Sequence, residues 1–255
     1  MSRRGWYIGA TEDEIGEAAI LVGDRARIDR ISEHLETPRF VEENRGLRTV
    51  TGLRAGRRVT VSAFGMGGPI AAIVLHELFD LGVRHFLRVG TAMVMAPAKL
   101  GDFVVADGAV RGEGTSRTYA PIGYPAVADF DLGAALRGAL SRRGARWRAG
   151  VFGTYDGFYT EMFALSAGQT RMIDGMREEI RRLGLIATDM ETATLLTAGR
   201  VLGARAGSLC LGTVDGLTQE KIAAAELETR EREMFEIALD ALVASLPQAA
   251  PGEPQ

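Results

Sequence analysis

Apolar residues along this chain fall into short β-branched runs, separated by longer stretches in which they recur every three or four positions. The runs predict strands at Ala18–Val22, Val59–Phe64, His85–Val89, Phe103–Ala106 and Leu209–Val214. The spaced stretches predict helices over 25–36, 68–82, 131–144, 174–183, 191–203 and 222–246. In the helix at 68–82, Ile70, Val74, Leu75, Leu78 and Leu81 fall close to helical spacing, and Gly82 supplies the stop. Strands alternating with helices predict an α/β fold, with a mainly parallel or mixed sheet covered by helices. No internal repeat or linker interrupts the pattern, so one domain is expected over 1–246. The proline-rich stretch 247–255 is expected to be a flexible tail.

Composition narrows the classes. With 255 residues, 46% hydrophobic and 25% charged, the chain can bury one large core or two small ones. A net charge of −3 and a pI near 5.8 argue against nucleic-acid or anionic-membrane partners, which call for a basic face. No apolar run approaches the ~20 residues that span a bilayer. Residues Met1–Trp6 lack the pattern of a secretory leader. The single cysteine, Cys210, allows no internal disulfide and reads as a small core residue, so a reducing cytoplasm is expected. His34, His76 and His85 stand at spacings unrelated to a zinc site.

Ligands of such sheets gather at the carboxyl ends of the strands. Five segments with chemistry stand there: Gly23–Arg27, Gly65–Pro69, Arg88–Thr91, Asp156–Tyr159 and Val214–Gly216. Gly65–Pro69 joins a strand to a helix, where glycine frees backbone amides to face an anion; a tight turn for close packing explains it equally well. Arg88 interrupts an apolar strand. Its charge cannot be discharged, so it needs either a bound anion or an internal carboxylate such as Asp189 or Glu191. Asp189 and Glu191 flank Met190 where a strand-like entry, Gly184–Thr188, meets a helical exit. They either aim at a ligand's hydroxyls or complement the helix dipole. Asp215 is either a buried general acid or the first residue of an Asp-Gly turn. Phe158 and Tyr159 either stack on a planar ligand or join the core.

Taken in order, these segments resemble the nucleoside phosphorylase-I family, the uridine and hexameric purine nucleoside phosphorylases, from about residue 7 to 240. Gly23-Asp24 with Arg27, Asn44-Arg45, Gly65–Pro69, Leu87–Thr91, Tyr124–Phe130, Asp156 with Phe158-Tyr159, and Asp189-Met190-Glu191 with Ala193-Thr194 carry the likeness. The resemblance implies a single-domain three-layer α/β/α fold with a mixed, partly closed sheet flanked by helices. It implies phosphorolysis of a nucleoside to free base and (deoxy)ribose 1-phosphate. Gly23, Arg27, Arg45, Arg88 and Thr91 would bind phosphate, the co-substrate, and no cofactor or metal would be needed. Tyr7, Met190 and Glu191 would hold the ribose. Ala92, Met93, Phe158, Met162, Asp189 and Asp215 would surround the base. Arg88 and Glu191 would act in catalysis with Asp215 as the acid. Tyr7 and Arg45 would be lent to a neighbouring subunit, giving a dimer as the unit and a hexamer as the assembly.

Departures shape the substrate expectation. Uridine phosphorylases read uracil with a glutamine and an arginine past the Phe-Tyr pair, where Met162 and Ala164 stand here. Met93 replaces a glycine, Tyr7 a histidine and Asp189 a glutamate. Val214–Gly216 resembles the purine branch, so purine nucleosides are expected, with uridine as the alternative. A nucleosidase that uses water would lack the arginines; the lost base readers leave room for a homologue that only binds, against which the intact Glu191, Arg88 and Thr91 argue.

Overall fold

The computed structural model describes residues 3–247. The tail expected at 247–255 lies outside them apart from Pro247. Among the described residues, ten strands and six α-helices follow in the order β1 (Ala18–Val22), α1 (Arg27–Ser32), β2 (Glu36–Phe40), β3 (Thr49–Arg54), β4 (Arg57–Ala63), α2 (Gly68–Asp80), β5 (His85–Val94), β6 (Phe103–Arg111), β7 (Ala126–Val127), α3 (Phe130–Arg142), β8 (Trp147–Thr154), α4 (Ala167–Arg182), β9 (Ala187–Asp189), α5 (Thr192–Leu202), β10 (Arg205–Asp215) and α6 (Ala224–Ala244). The strands all join one mixed sheet. The five strands read from the sequence are β1, β4, β5, β6 and β10. The helix expected over 25–36 ends at Ser32, because Glu36–Phe40 pairs with β3 instead.

The sheet is partly closed. β5 pairs with both β9 and β10, β10 with β6, β6 with β8 and β8 with β9, so these five strands form a ring. Ala92, Val94, Val104, Phe152 and Cys210 share its packing. From β5 the sheet continues open through β1 and β4 to β3 and β2. β1 shows why its sequence is uniformly apolar. Ala18, Ile20 and Val22 pack with α1, α3 and α6 on one side, while Ala19 and Leu21 pack with α2 and α5 on the other. A strand covered on both faces has no polar side to alternate with. Helices on both faces make the three layers. Among the described residues no helix is long and apolar enough to cross a membrane.

Candidate active site

The carboxyl ends of β1, β4 and β5 lie side by side, because the three strands are parallel neighbours. The turns after β1 and β4 are tied together: the Gly65 amide donates to the Gly23 carbonyl at 3.0 Å. A β-carbon on Gly23 would stand 2.9 Å from the Gly65 oxygen, so this approach requires glycine. Gly67, at φ +95°, caps α2 and leaves its amide pointing outward along the helix start.

That amide donates to Glu191 Oε1 at 2.7 Å. The other carboxylate oxygen of Glu191 accepts from Arg88 Nη2 at 2.5 Å. Asp189 Oδ2 stands 3.2 Å from the same nitrogen. Arg88 is 5% exposed, so this is a buried cation between two buried carboxylates. Burial works against its charge, but Asp189, Cys210 and Glu191 outweigh burial and raise its pKa further. Arg88 also donates through Nη1 to Cys210 Sγ. Its Nε is buried with no hydrogen-bond partner among the described residues. The guanidinium lies over Gly90: a β-carbon there would meet Nη1 at 2.5 Å and Cζ at 2.9 Å. Two residues apart on a strand, Arg88 and Gly90 share a face, and the missing side chain makes the room.

Asp189 corrects an expectation. Assigned to the base by resemblance, it is instead enclosed. Thr154 Oγ1 donates to its Oδ1 at 2.8 Å, and the Thr192 amide and hydroxyl donate to Oδ2. Thr192 and Ser208 hydroxyls meet at 2.9 Å. Asp189 therefore fixes the start of α5 and steadies Arg88, which is the helix-start role open to it from the sequence.

Asp215 also departs from expectation. Its Oδ1 accepts from the Leu217 amide at 2.9 Å and the Thr218 amide at 2.8 Å, an Asp-led turn. Burial pushes its pKa up, but the hydrogen bonds from Thr218 and Leu217 prevail and hold it below the ordinary value. Without a ligand the carboxylate therefore stands as a hydrogen-bond acceptor, the turn-residue role that the sequence left open beside that of an acid. Ala92 and Met93 face opposite ways. Ala92 packs with Val94, Phe152 and Cys210, whereas Met93 belongs to another cluster with Met95, Tyr155 and Met162. Neighbours on a strand point to opposite faces, so the side chain of Ala92 does not share the wall of Met93.

The remaining residues stand as follows. Arg27 opens α1 and is buried. Its Nε and Nη2 reach Glu231 of α6 at 2.9 and 2.7 Å. Thr91 stands half-buried three positions beyond Arg88. Met190 packs at the edge of the methionine cluster with Phe163, Met176 and Val214. Phe158 and Met162 bound a single π-helical turn. Met162 is buried, while Phe158 is 37% exposed and stacks on Phe163 at 5.7 Å. Arg45 is exposed with its guanidinium 5.0 Å over the Tyr7 ring, and the Tyr7 amide is anchored on Glu77 at 2.8 Å. Thr154, Thr192, Ser208, Gly90 and Glu231 were not anticipated. The Asp189-to-Thr192 spacing, that of a helix cap, was the one local signal for any of them.

The model of the phosphorylase superfamily matches residues 17–244. A uridine phosphorylase of Treponema pallidum (strain Nichols) is 34% identical over 248 residues, covering 96% of each chain. A guanosine phosphorylase of Halorubrum lacusprofundi is 36% identical over 206 residues, 80% of each chain. The crystal structure of a uridine phosphorylase from Vibrio fischeri ES114 has a TM-score of 0.85 at 30% identity, covering 94% of this chain and 96% of that one.

Proposed function

The chain belongs to the phosphorylase superfamily, and from that premise we propose that it cleaves the N-glycosidic bond of a nucleoside with inorganic phosphate, releasing free base and (deoxy)ribose 1-phosphate. The observation that carries this reading is Arg88. A buried guanidinium with an idle Nε sits hydrogen-bonded to Glu191, a carboxylate with lone pairs left for sugar hydroxyls. Phosphate held by Arg88 beside a ribose held by Glu191 puts the nucleophile at C1′. Positive charge that develops on the sugar ring is stabilised by the dianion that then captures it. Gly23, Arg27 and Thr91 extend the phosphate site. Arg27 does so through Nη1, or by exchanging Glu231 for the anion. Met190 packs on the sugar, and Met93, Met162 and Phe158 bound the base. Arg45 and Tyr7, stacked on each other, reach a neighbour's site in a dimer that repeats into a hexamer. The chemistry needs no organic cofactor or metal.

Two base classes are supported by different observations. Relatives acting on uridine favour uridine. The guanosine phosphorylase, together with methionine and alanine at positions 162 and 164, favours a purine. The deciding experiment is a nucleoside panel assayed for base release with and without phosphate. Release that requires phosphate is the expected result. Release in its absence selects a hydrolase, and saturable binding without release selects a protein that only binds.

A further inference from the structure

α1 and α6 are joined by charge beside the carboxyl end of β1. Arg27 and Arg30 stand one turn apart on α1, so they share a side of the helix. Glu231 of α6 lies between them and is 4% exposed. Its Oε1 accepts from Arg27 Nε at 2.9 Å and lies 2.7 Å from Nη2. Its Oε2 lies 3.0 Å from Arg30 Nη1. Arg30 also reaches Asp24 Oδ2 at 3.3 Å, and the other oxygen of Asp24 accepts from the Ala26 amide at 2.9 Å. The series Asp24, Arg30, Glu231, Arg27 thus alternates in sign and returns to the turn after β1. That turn adjoins the proposed anion site: Val22 at the end of β1 pairs with Val89, the neighbour of Arg88, and the Gly23 carbonyl is bonded to the Gly65 amide. The segment that carries Arg45 lies against the same turn, where Arg25 Nε donates to Glu43 at 3.1 Å. Nη1 of Arg27 makes no hydrogen bond among the described residues, and it is not enclosed as Nε of Arg30 and of Arg88 are.

We propose that Glu231 is a positioning residue for phosphate: it holds Arg27 by Nε and Nη2, leaves Nη1 for the anion, and stays in place when the anion binds. This rests on the phosphorolytic reading of the site. An arginine side chain is long and has much rotamer freedom to lose on binding a ligand. Arg27 is already fixed by Glu231, so that loss falls outside the binding step. Direct exchange of Glu231 for phosphate is disfavoured by Arg30. To leave Arg27, the carboxylate would have to weaken its hold on two guanidiniums, and at 4% exposure it would stay buried with its charge poorly matched. Nη1 is available with no such exchange. A carboxylate so near the site also lowers its attraction for a dianion. The orientation that Glu231 gives therefore has to outweigh its charge, and the two effects have opposite signs in a phosphate titration.

The test compares wild type with Glu231→Gln, Glu231→Asp, Arg27→Ala and the double variant Arg27→Ala/Glu231→Gln. Inorganic phosphate is titrated by calorimetry, and base release from inosine and uridine is assayed against both phosphate and nucleoside. Glutamine keeps the size of Glu231 but offers one acceptor to two guanidiniums; aspartate keeps the charge on a shorter stem. The expected result is a Kd and a KM for phosphate that rise about tenfold to a hundredfold in Glu231→Gln, the scale of one hydrogen bond to a charged group. Glu231→Asp falls between that variant and wild type, and the KM for the nucleoside does not move. Arg27→Ala raises the same two constants, and adding Glu231→Gln to it raises them no further, because Glu231 acts through Arg27. A phosphate Kd that is unchanged or lower in Glu231→Gln overturns the proposal. Equal losses toward phosphate and nucleoside, additive effects in the double variant, or unfolding of both Glu231 variants overturn it too, since Glu231 is then a structural clamp between α1 and α6. Calorimetry reads Glu231 even where neither nucleoside is cleaved. A wild type that binds no phosphate, or releases base without it, overturns this proposal together with phosphorolysis; a wild type that needs phosphate, beside a Glu231→Gln that binds it equally well, overturns this proposal alone.

Discussion

Arg88 and Glu191 are bound to each other at 2.5 Å, and each is half of the proposed chemistry: one for the anion, the other for the sugar. The pair is buried and Asp189 adds a second carboxylate at 3.2 Å. Removing the cation leaves two buried acids without compensation. Arg88→Ala is expected to lose phosphate-dependent turnover and, by the usual cost of breaking a buried pair, about 3–5 kcal/mol of stability. Arg88→Lys keeps the charge but loses the fork, so it should fold better than Arg88→Ala and still show a raised KM for phosphate. Denaturant melts beside initial rates separate the two effects. Full activity in either variant removes Arg88 from the phosphate site.

Gly90 offers a subtler perturbation. An alanine β-carbon would fall 2.5 Å from Arg88 Nη1, inside contact distance, so the guanidinium must move. Misplacement of a positioning group by about 1 Å costs about a hundredfold in rate. Gly90→Ala is therefore expected to raise the KM for phosphate and lower kcat while the fold persists. Near-UV circular dichroism checks the fold, and a phosphate titration checks the site. Wild-type kinetics would mean that the guanidinium is free to lie elsewhere.

Asp215 now carries a revised expectation. Its carboxylate caps a turn and is ionised at neutral pH, its pKa lying below the ordinary 3.8. Asparagine supports the same turn, so Asp215→Asn should keep base release near the wild-type rate for purine and pyrimidine nucleosides alike. A depressed pKa gives stability that is present above the unfolded value and lost as pH falls through the folded one. Acid melts below pH ~4 should thus narrow the difference between Asp215→Asn and wild type. A selective collapse of purine cleavage in Asp215→Asn would restore the acid role.

Cys210 reports on the same interior. Burial raises its thiol pKa from 9.0 to about 11, against the pull of Arg88. The thiol should resist alkylation at pH 8 in the folded protein and react at once in denaturant. A raised pKa stabilises fully below the unfolded value of 9.0 and loses that contribution by about 11. Wild type should accordingly lose stability across that window relative to Cys210→Ala. Fast labelling of the native protein would show that the ring opens.

The sequence disclosed what local periodicity encodes. β1, β4, β5, β6 and β10 are β-branched because they are covered, wholly or in part, on both faces, and α2, α3, α5 and α6 begin and end within two residues of the expected bounds. Glu36–Phe40 is exposed throughout and β9 has three residues, so pairing with neighbours makes them strands, not their composition. In β8, glycines at 150 and 153 dilute the apolar signal. At the site, the choice between an anion and an internal carboxylate for Arg88 was visible, and the structure supplies the carboxylates. Glu231 beneath Arg27, 204 positions away, could not be read, since no spacing encodes long-range pairing.

Arg45 and Tyr7 lie together at the surface, with the guanidinium stacked on the ring, and neither is tied to Arg88 or Glu191. If they complete a neighbour's site, inactive subunits should rescue one another. Arg88→Ala ruins its own site and still lends Arg45, while Arg45→Ala keeps its own Arg88 and needs a donor. In a hybrid dimer, one site then has both arginines. Random reassociation at equal amounts makes half the dimers hybrid with one good site in two, so about a quarter of wild-type activity is expected. Mixing the purified variants after mild dissociation, then assaying phosphate-dependent base release, reads this directly. A mixture no more active than its parts would show that Arg45 serves its own subunit or none.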